Sequence, residues 1–120
     1  MMEVLLILTN NPMVRAEIQP SRWIEGGSAD VAKVARDLVH RGCRFHSHPL
    51  AGSIRLLRNP YRTMLLLKDS GSPSPEHVRM AEDALRRLEG EDPGDICEAD
   101  RKDYSLIDLD LARRSLGSQE

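Results

Sequence analysis

The stretch "HSHPLAGSIRLLRNPY", His46 to Tyr61, gathers side chains that could do chemistry: two histidines, two serines, two arginines and no carboxylate. His48, where a strand should end, is the candidate hydrogen-bond donor or general base, because imidazole changes charge near neutral pH. His46, two residues earlier, would point the same way on extended chain. That spacing occurs in metal sites, but Cys43, His40 and His77 are scattered and supply no third ligand, so no metal and no cofactor is expected. Ser47 and Ser53 lie near His48, yet neither sits in a G-x-S-x-G elbow and no carboxylate is at hand to orient a base. Catalytic residues are therefore unknown, with His48 the candidate only if the protein is an enzyme.

An anion is the better match to this stretch. Gly52 lets a backbone approach closely, Ser53 adds a hydroxyl donor, and Arg55 or Arg62 offers a bidentate grip on carboxylate or phosphate. Tyr61 completes the segment. Two other turns join the set. Asn10 and Asn11 follow the first apolar run, and Gly26 follows the second extended segment. If those segments are parallel strands, the three turns share the rim where open α/β sheets bind ligands. The expected ligand-binding residues are Asn10, Asn11, Gly26, His48, Gly52, Ser53, Arg55, Tyr61 and Arg62.

Charge segregation carries the same suggestion. The net charge is only −2, but Leu38 to Lys68 holds six Lys or Arg, three His and no Asp or Glu. From Asp69 onward, fourteen acidic residues face seven basic ones. The middle segment needs either an anion or acidic neighbours brought by the later half. Nucleic acid is not expected: the basic stretch lacks aromatic platforms, and the acidic half repels a long polyanion. "GSADVAK" lacks a phosphate-loop framework, and no G-x-G-x-x-G follows a strand.

These residues need elements to hold them. "MEVLLIL" reads as a buried strand. Asn11-Pro12 reads as a helix start, with the helix running Met13–Ile18. Arg22–Glu25 should be a short strand stopped by Gly26-Gly27. Ser28 should cap an amphipathic helix whose Val31, Val34, Leu38 and Val39 share a face. "CRFHS" and "RTMLLLKD" are the third and fourth strands, and residues 50–60 fit either a helical turn or a loop. Ser74 and Pro75 start a helix lined by Val78, Ala81, Leu85 and Leu88. "EGEDPGDICEADRKD" reads as a linker, and Ser105 with Asp108 as the start of a tail helix. Alternating strands and helices imply a small three-layer α/β domain, with a mostly parallel four-stranded sheet and helices on both faces. Residues 1–90 form that domain. Residues 91–120 are an acidic linker and C-terminal helix, packed on it or extending from it.

At 120 residues, with 40% hydrophobic side chains, the chain suits one domain with an aliphatic core. No apolar run approaches the roughly twenty residues a membrane span needs, and "EVLLIL" is too short for a signal sequence. A cytoplasmic location and reduced Cys43 and Cys97 follow.

The ordered strings "LTNNP", "IEGG", a capped helix ending "LVHRG", "HPLAGSI" and "NPYRTMLL" resemble the GrdX family over about residues 4 to 68. That is a family of small proteins encoded among the genes for glycine, sarcosine and betaine reductase in amino-acid-fermenting anaerobes. The reductases are multi-component selenoenzymes that turn amino-acid substrates into acetyl phosphate. The resemblance implies a non-catalytic accessory or regulatory protein of that system, and brings no catalytic residues with it. A small anionic metabolite is the first partner class. A reductase component docked on the acidic C-terminal region is the second, and a homodimer stays open. A small hydrolase or transferase using His48 is the third reading.

Overall fold

The computed structural model describes residues 4–50, 58–68, 71–91 and 94–117. Two long apolar strands form its centre: β1 (Val4–Thr9) and β4 (Thr63–Lys68) pair antiparallel along their whole length, from Val4 opposite Lys68 to Thr9 opposite Thr63. Two short strands flank them. β2 (Arg22–Trp23) runs parallel to β1, and β3 (Arg44–Phe45) runs antiparallel to β4. The sheet order is β2-β1-β4-β3. The sheet is therefore mixed and mostly antiparallel, which corrects the expectation of a mostly parallel one. An apolar run such as "MLLL" is equally buried in either direction, so its pattern cannot carry the sense of the strand.

Alternate residues of β1 and β4 enter two separate clusters, as the pleat requires. Leu6, Leu8, Met64 and Leu66 pack with α2 (Ser28–His40) and α3 (Pro75–Glu89). Leu5, Ile7 and Leu65 pack with Val14 of α1 (Pro12–Glu17) and Leu109 of α4 (Glu98–Gly117). Leu8, Leu65 and Leu66 are almost fully buried, each contributing about 1.5–3 kcal/mol of hydrophobic stabilisation.

Local chemistry accounts for the helix starts. Asn11 caps α1 by accepting from the Met13 backbone N–H at 3.0 Å, with Pro12 at the first helical position. Ser74 caps α3 with Pro75 behind it. The start of α2 differs from expectation. Gly27 is the cap, and the Asp30 carboxylate accepts from the Gly27 N–H at 2.8 Å. The tail helix also differs, beginning at Glu98, so Ser105 and Asp108 lie in its middle. β2 and β3 are each two residues long, shorter than the stretches expected for them. Residues 51–57, whose helix-or-loop alternative the sequence left open, lie outside the described residues. Cys43 is buried and Cys97 exposed, both as free thiols.

Candidate functional site

Because β4 is antiparallel to both β1 and β3, while β2 is parallel to β1, the strands β1, β2 and β3 all point the same way. Their ends, together with the start of β4, form one rim of the sheet. The cross-strand pair Thr9 and Thr63 marks it, their hydroxyls 2.8 Å apart.

Asn10 ties three turns of this rim together. Its side-chain amide donates to the Gly26 carbonyl after β2 at 3.0 Å and to the Pro60 carbonyl before β4 at 2.8 Å. Its carbonyl accepts from the Arg62 backbone N–H at 2.8 Å. Backbone groups of irregular turns need partners when buried, and this one amide supplies three.

Asn11 reaches the other way, into α4. Its amide donates to the Ser105 carbonyl at 2.9 Å and to Asp108 Oδ2 at 3.0 Å, while its own carbonyl accepts from the Ser105 hydroxyl at 2.6 Å. The Thr63 hydroxyl donates to Asp108 Oδ2 at 2.7 Å and the Thr63 N–H to Oδ1 at 3.1 Å. With its proton committed to Asp108, Thr63 accepts from Thr9, and Thr9 in turn accepts from the Asn11 N–H at 3.0 Å. Asn59 adds a further tie, donating to the Tyr104 carbonyl at 3.0 Å and accepting from the Tyr61 N–H at 2.8 Å. Thr9, Asn10, Asn11, Asn59, Arg62, Ser105 and Asp108 are all buried. Together they form a polar keystone between the sheet end and α4.

Arg62 and Asp108 are its charged members. Burial pushes the Asp108 carboxyl above its ordinary range, with the hydrogen bonds from Thr63 and Asn11 and the charge of Arg62 acting against that rise. Burial likewise lowers Arg62, opposed by the charge of Asp108. Beside them is a cavity of about 20 Å³ lined by residues that include Ser47, His48, Arg62, Asp108 and Ser115. That is room for one water-sized group, too little for a carboxylate or phosphate. An anion at this rim has to sit outside the keystone.

The other expected site residues fall at varied places. His48 is exposed on the rim, and its Nδ1 accepts from the Leu50 N–H at 3.0 Å. The neutral ring therefore carries its proton on Nε2 and presents a donor. Gly26 has φ +120°, and a Cβ there would run into the Asp30 carboxylate. Tyr61 is half-buried beside Asn59. Gly52, Ser53 and Arg55 lie outside the described residues. His46, also half-buried, follows the end of β3, so it and His48 do not share a strand face.

Thr9, Asn59, Thr63, Ser105 and Asp108 were not among the residues expected here. For two of them a signal existed. Ser105 and Asp108 occupy the same helical stripe as Leu109 and Ala112, the buried side of α4. Polar residues on an apolar stripe call for buried partners.

Among the described residues, no three His, Cys, Asp or Glu side chains are grouped to hold a metal ion, and no helix is long and apolar enough to cross a membrane. A family model described as GrdX-like protein matches residues 6–117. No curated protein and no solved structure matches the chain.

Proposed function

The chain belongs to the GrdX-like family, and from that premise we propose a non-catalytic accessory protein of glycine, sarcosine and betaine reductase metabolism that recognises a small anionic metabolite on the outer surface of its rim. The observation that supports this reading most is the Asn10 side chain, which joins the turns after β1 and β2 to the one before β4. A surface held by such bonds is pre-organised, so little ordering entropy is lost on binding. His48 presents its Nε2–H donor there, with Tyr61 on the same rim; Arg62 lies beneath, its charge already faced by that of Asp108.

Thermal unfolding with added phosphate, acetyl phosphate or glycine, at low and high salt, tests the proposal. Binding to the native state raises the melting temperature. One of these compounds is expected to do so at low salt, with the effect reduced at high salt and lost in His48→Ala. No rise with any of them removes the reading. Comparing phosphoester and amide hydrolysis by wild type and His48→Ala addresses catalysis, and equal rates dispose of a His48-dependent enzyme.

A second reading is favoured by the outward side of α4, where Leu106 and Ile107 are 44% and 39% exposed beyond an acidic first turn of Glu98 and Asp100. In this reading α4 docks on a reductase component. Leu106→Ser with Ile107→Ser should then abolish co-purification with reductase subunits while leaving thermal unfolding intact. Retained co-purification excludes α4 as the docking surface.

A further inference from the structure

A second feature lies on the β2 side of the sheet. Beside the edge strand β2, a groove of about 480 Å³ is lined by Arg15, Gln19, Pro20 and Ser21. It shares no lining residue with the rim cavity, and it is shallow and open to solvent, its Arg15, Gln19 and Pro20 all exposed. Its one charged lining group is the Arg15 guanidinium, whose central carbon sits 5.0 Å from the centroid of the Trp23 ring. Stacking on an aromatic face orients a guanidinium and leaves its N–H edges free to make paired bonds.

Two carboxylates of this region have bonded partners other than Arg15. Glu25 Oε2 accepts from the Trp23 indole N–H at 2.8 Å, which also anchors the ring under Arg15. Glu17, two residues along α1, pairs with Arg113 of α4 at 3.2 Å. Gln19 and Ser21 bring an amide and a hydroxyl, each able to donate.

We propose that this groove binds the oxyanion group of a small molecule, a carboxylate or a phosphate, with Arg15 gripping it by paired N–H donors and Gln19 and Ser21 adding single ones. A planar guanidinium matches both groups in this bidentate way. The four lining residues are distinct from those proposed to bind at the rim, so either site can fail without the other, and the His48→Ala variant separates them.

Trp23 is the only tryptophan in the chain and lies against Arg15, so its fluorescence reports on the groove directly. The test titrates the full chain with sodium acetate and, separately, sodium phosphate at constant ionic strength, using sodium chloride as the control. The Gln19 side-chain amide is followed by NMR in the same samples. A saturable change in Trp23 emission and in the Gln19 amide is expected with acetate, phosphate or both, and which of them acts assigns the oxyanion class. Arg15→Lys should weaken the response several-fold, Arg15→Gln should abolish it, and His48→Ala should leave it unchanged. Arg15 is exposed, so both of its variants should unfold at the wild-type temperature. The proposal is overturned if neither probe responds, if chloride acts as acetate and phosphate do, or if Arg15→Gln keeps the wild-type half-saturation.

Discussion

The Asn11 side-chain amide, on the turn after β1, donates to the Asp108 carboxylate in the middle of α4 at 3.0 Å, across 97 residues of chain. This contact joins the sheet end to the last helix through buried polar atoms. Its strength depends on every bonded neighbour of Asp108 being a donor.

Asp108→Asn tests that dependence. The carboxylate accepts from Asn11, from the Thr63 N–H and from the Thr63 hydroxyl. An Asn in its place keeps one acceptor oxygen and turns an NH₂ toward a donor, Asn11 in one orientation of the amide and the Thr63 N–H in the other, so one of these bonds is lost. The expected cost is about 1–3 kcal/mol, the usual penalty for an unsatisfied buried polar group. Urea denaturation measures it, and an unchanged midpoint and slope would mean that the keystone adds nothing to stability.

Two carboxylates should leave opposite marks on stability against pH. Asp108 is raised by burial above its ordinary 3.8. Its contribution is fully present below 3.8 and lost as pH rises through its folded-state value. Asp83 is lowered, chiefly by its hydrogen bond from Arg86. Its contribution is present above 3.8 and lost as pH falls through its folded-state value. Measured as pH increases from acid, the stability of wild type relative to Asp108→Asn should fall, and relative to Asp83→Asn it should rise. Slopes of the same sign would contradict one of the two assignments.

Asn10 should resist even its nearest isostere. Asn10→Ala removes the partners of Gly26, Pro60 and Arg62 and should cost about 1–3 kcal/mol. Asn10→Asp keeps the acceptor for Arg62 but turns a carboxylate oxygen toward two carbonyls, so at neutral pH it should be the more damaging change. Equilibrium unfolding of the pair at pH 7 decides this, and equal stability of Asn10→Asp and wild type would refute the bonding pattern.

The last helix should be required for folding. Leu109 of α4 packs with Ile7, Val14 and Leu65, and Leu109→Ala should cost about 2–5 kcal/mol. A chain ending at residue 90 would expose that cluster and leave Asn11 without Ser105 and Asp108, so it should lose cooperative thermal unfolding. A sharp calorimetric transition in the shortened chain would instead make α4 an accessory to an independent fold.

Much of the local structure was legible in the residues themselves. The stripe of Val31, Val34, Leu38 and Val39 predicts α2, and Asn11-Pro12 and Ser74-Pro75 announce two helix starts, because periodicity and capping act between residues a few positions apart. The apolar runs at Leu5–Leu8 and Met64–Leu67 likewise identify the two central strands. The sharing of a rim by the turns after β1, β2 and β3 also followed from the order of elements, although by way of a sheet expected to be mostly parallel.

Only the tertiary structure decided the direction of β4, the partners of Asn10 and Asn11, and the use of Asp108 as a buried acceptor instead of a helix start. An apolar run reads alike in both directions, and a carboxylate beside a serine bonds in the same local ways wherever it stands. What distinguishes the outcomes is the desolvation of Asp108 beside Thr63, Asn11 and Arg62. Burial and partnership of that kind arise only when segments nearly a hundred residues apart are packed together.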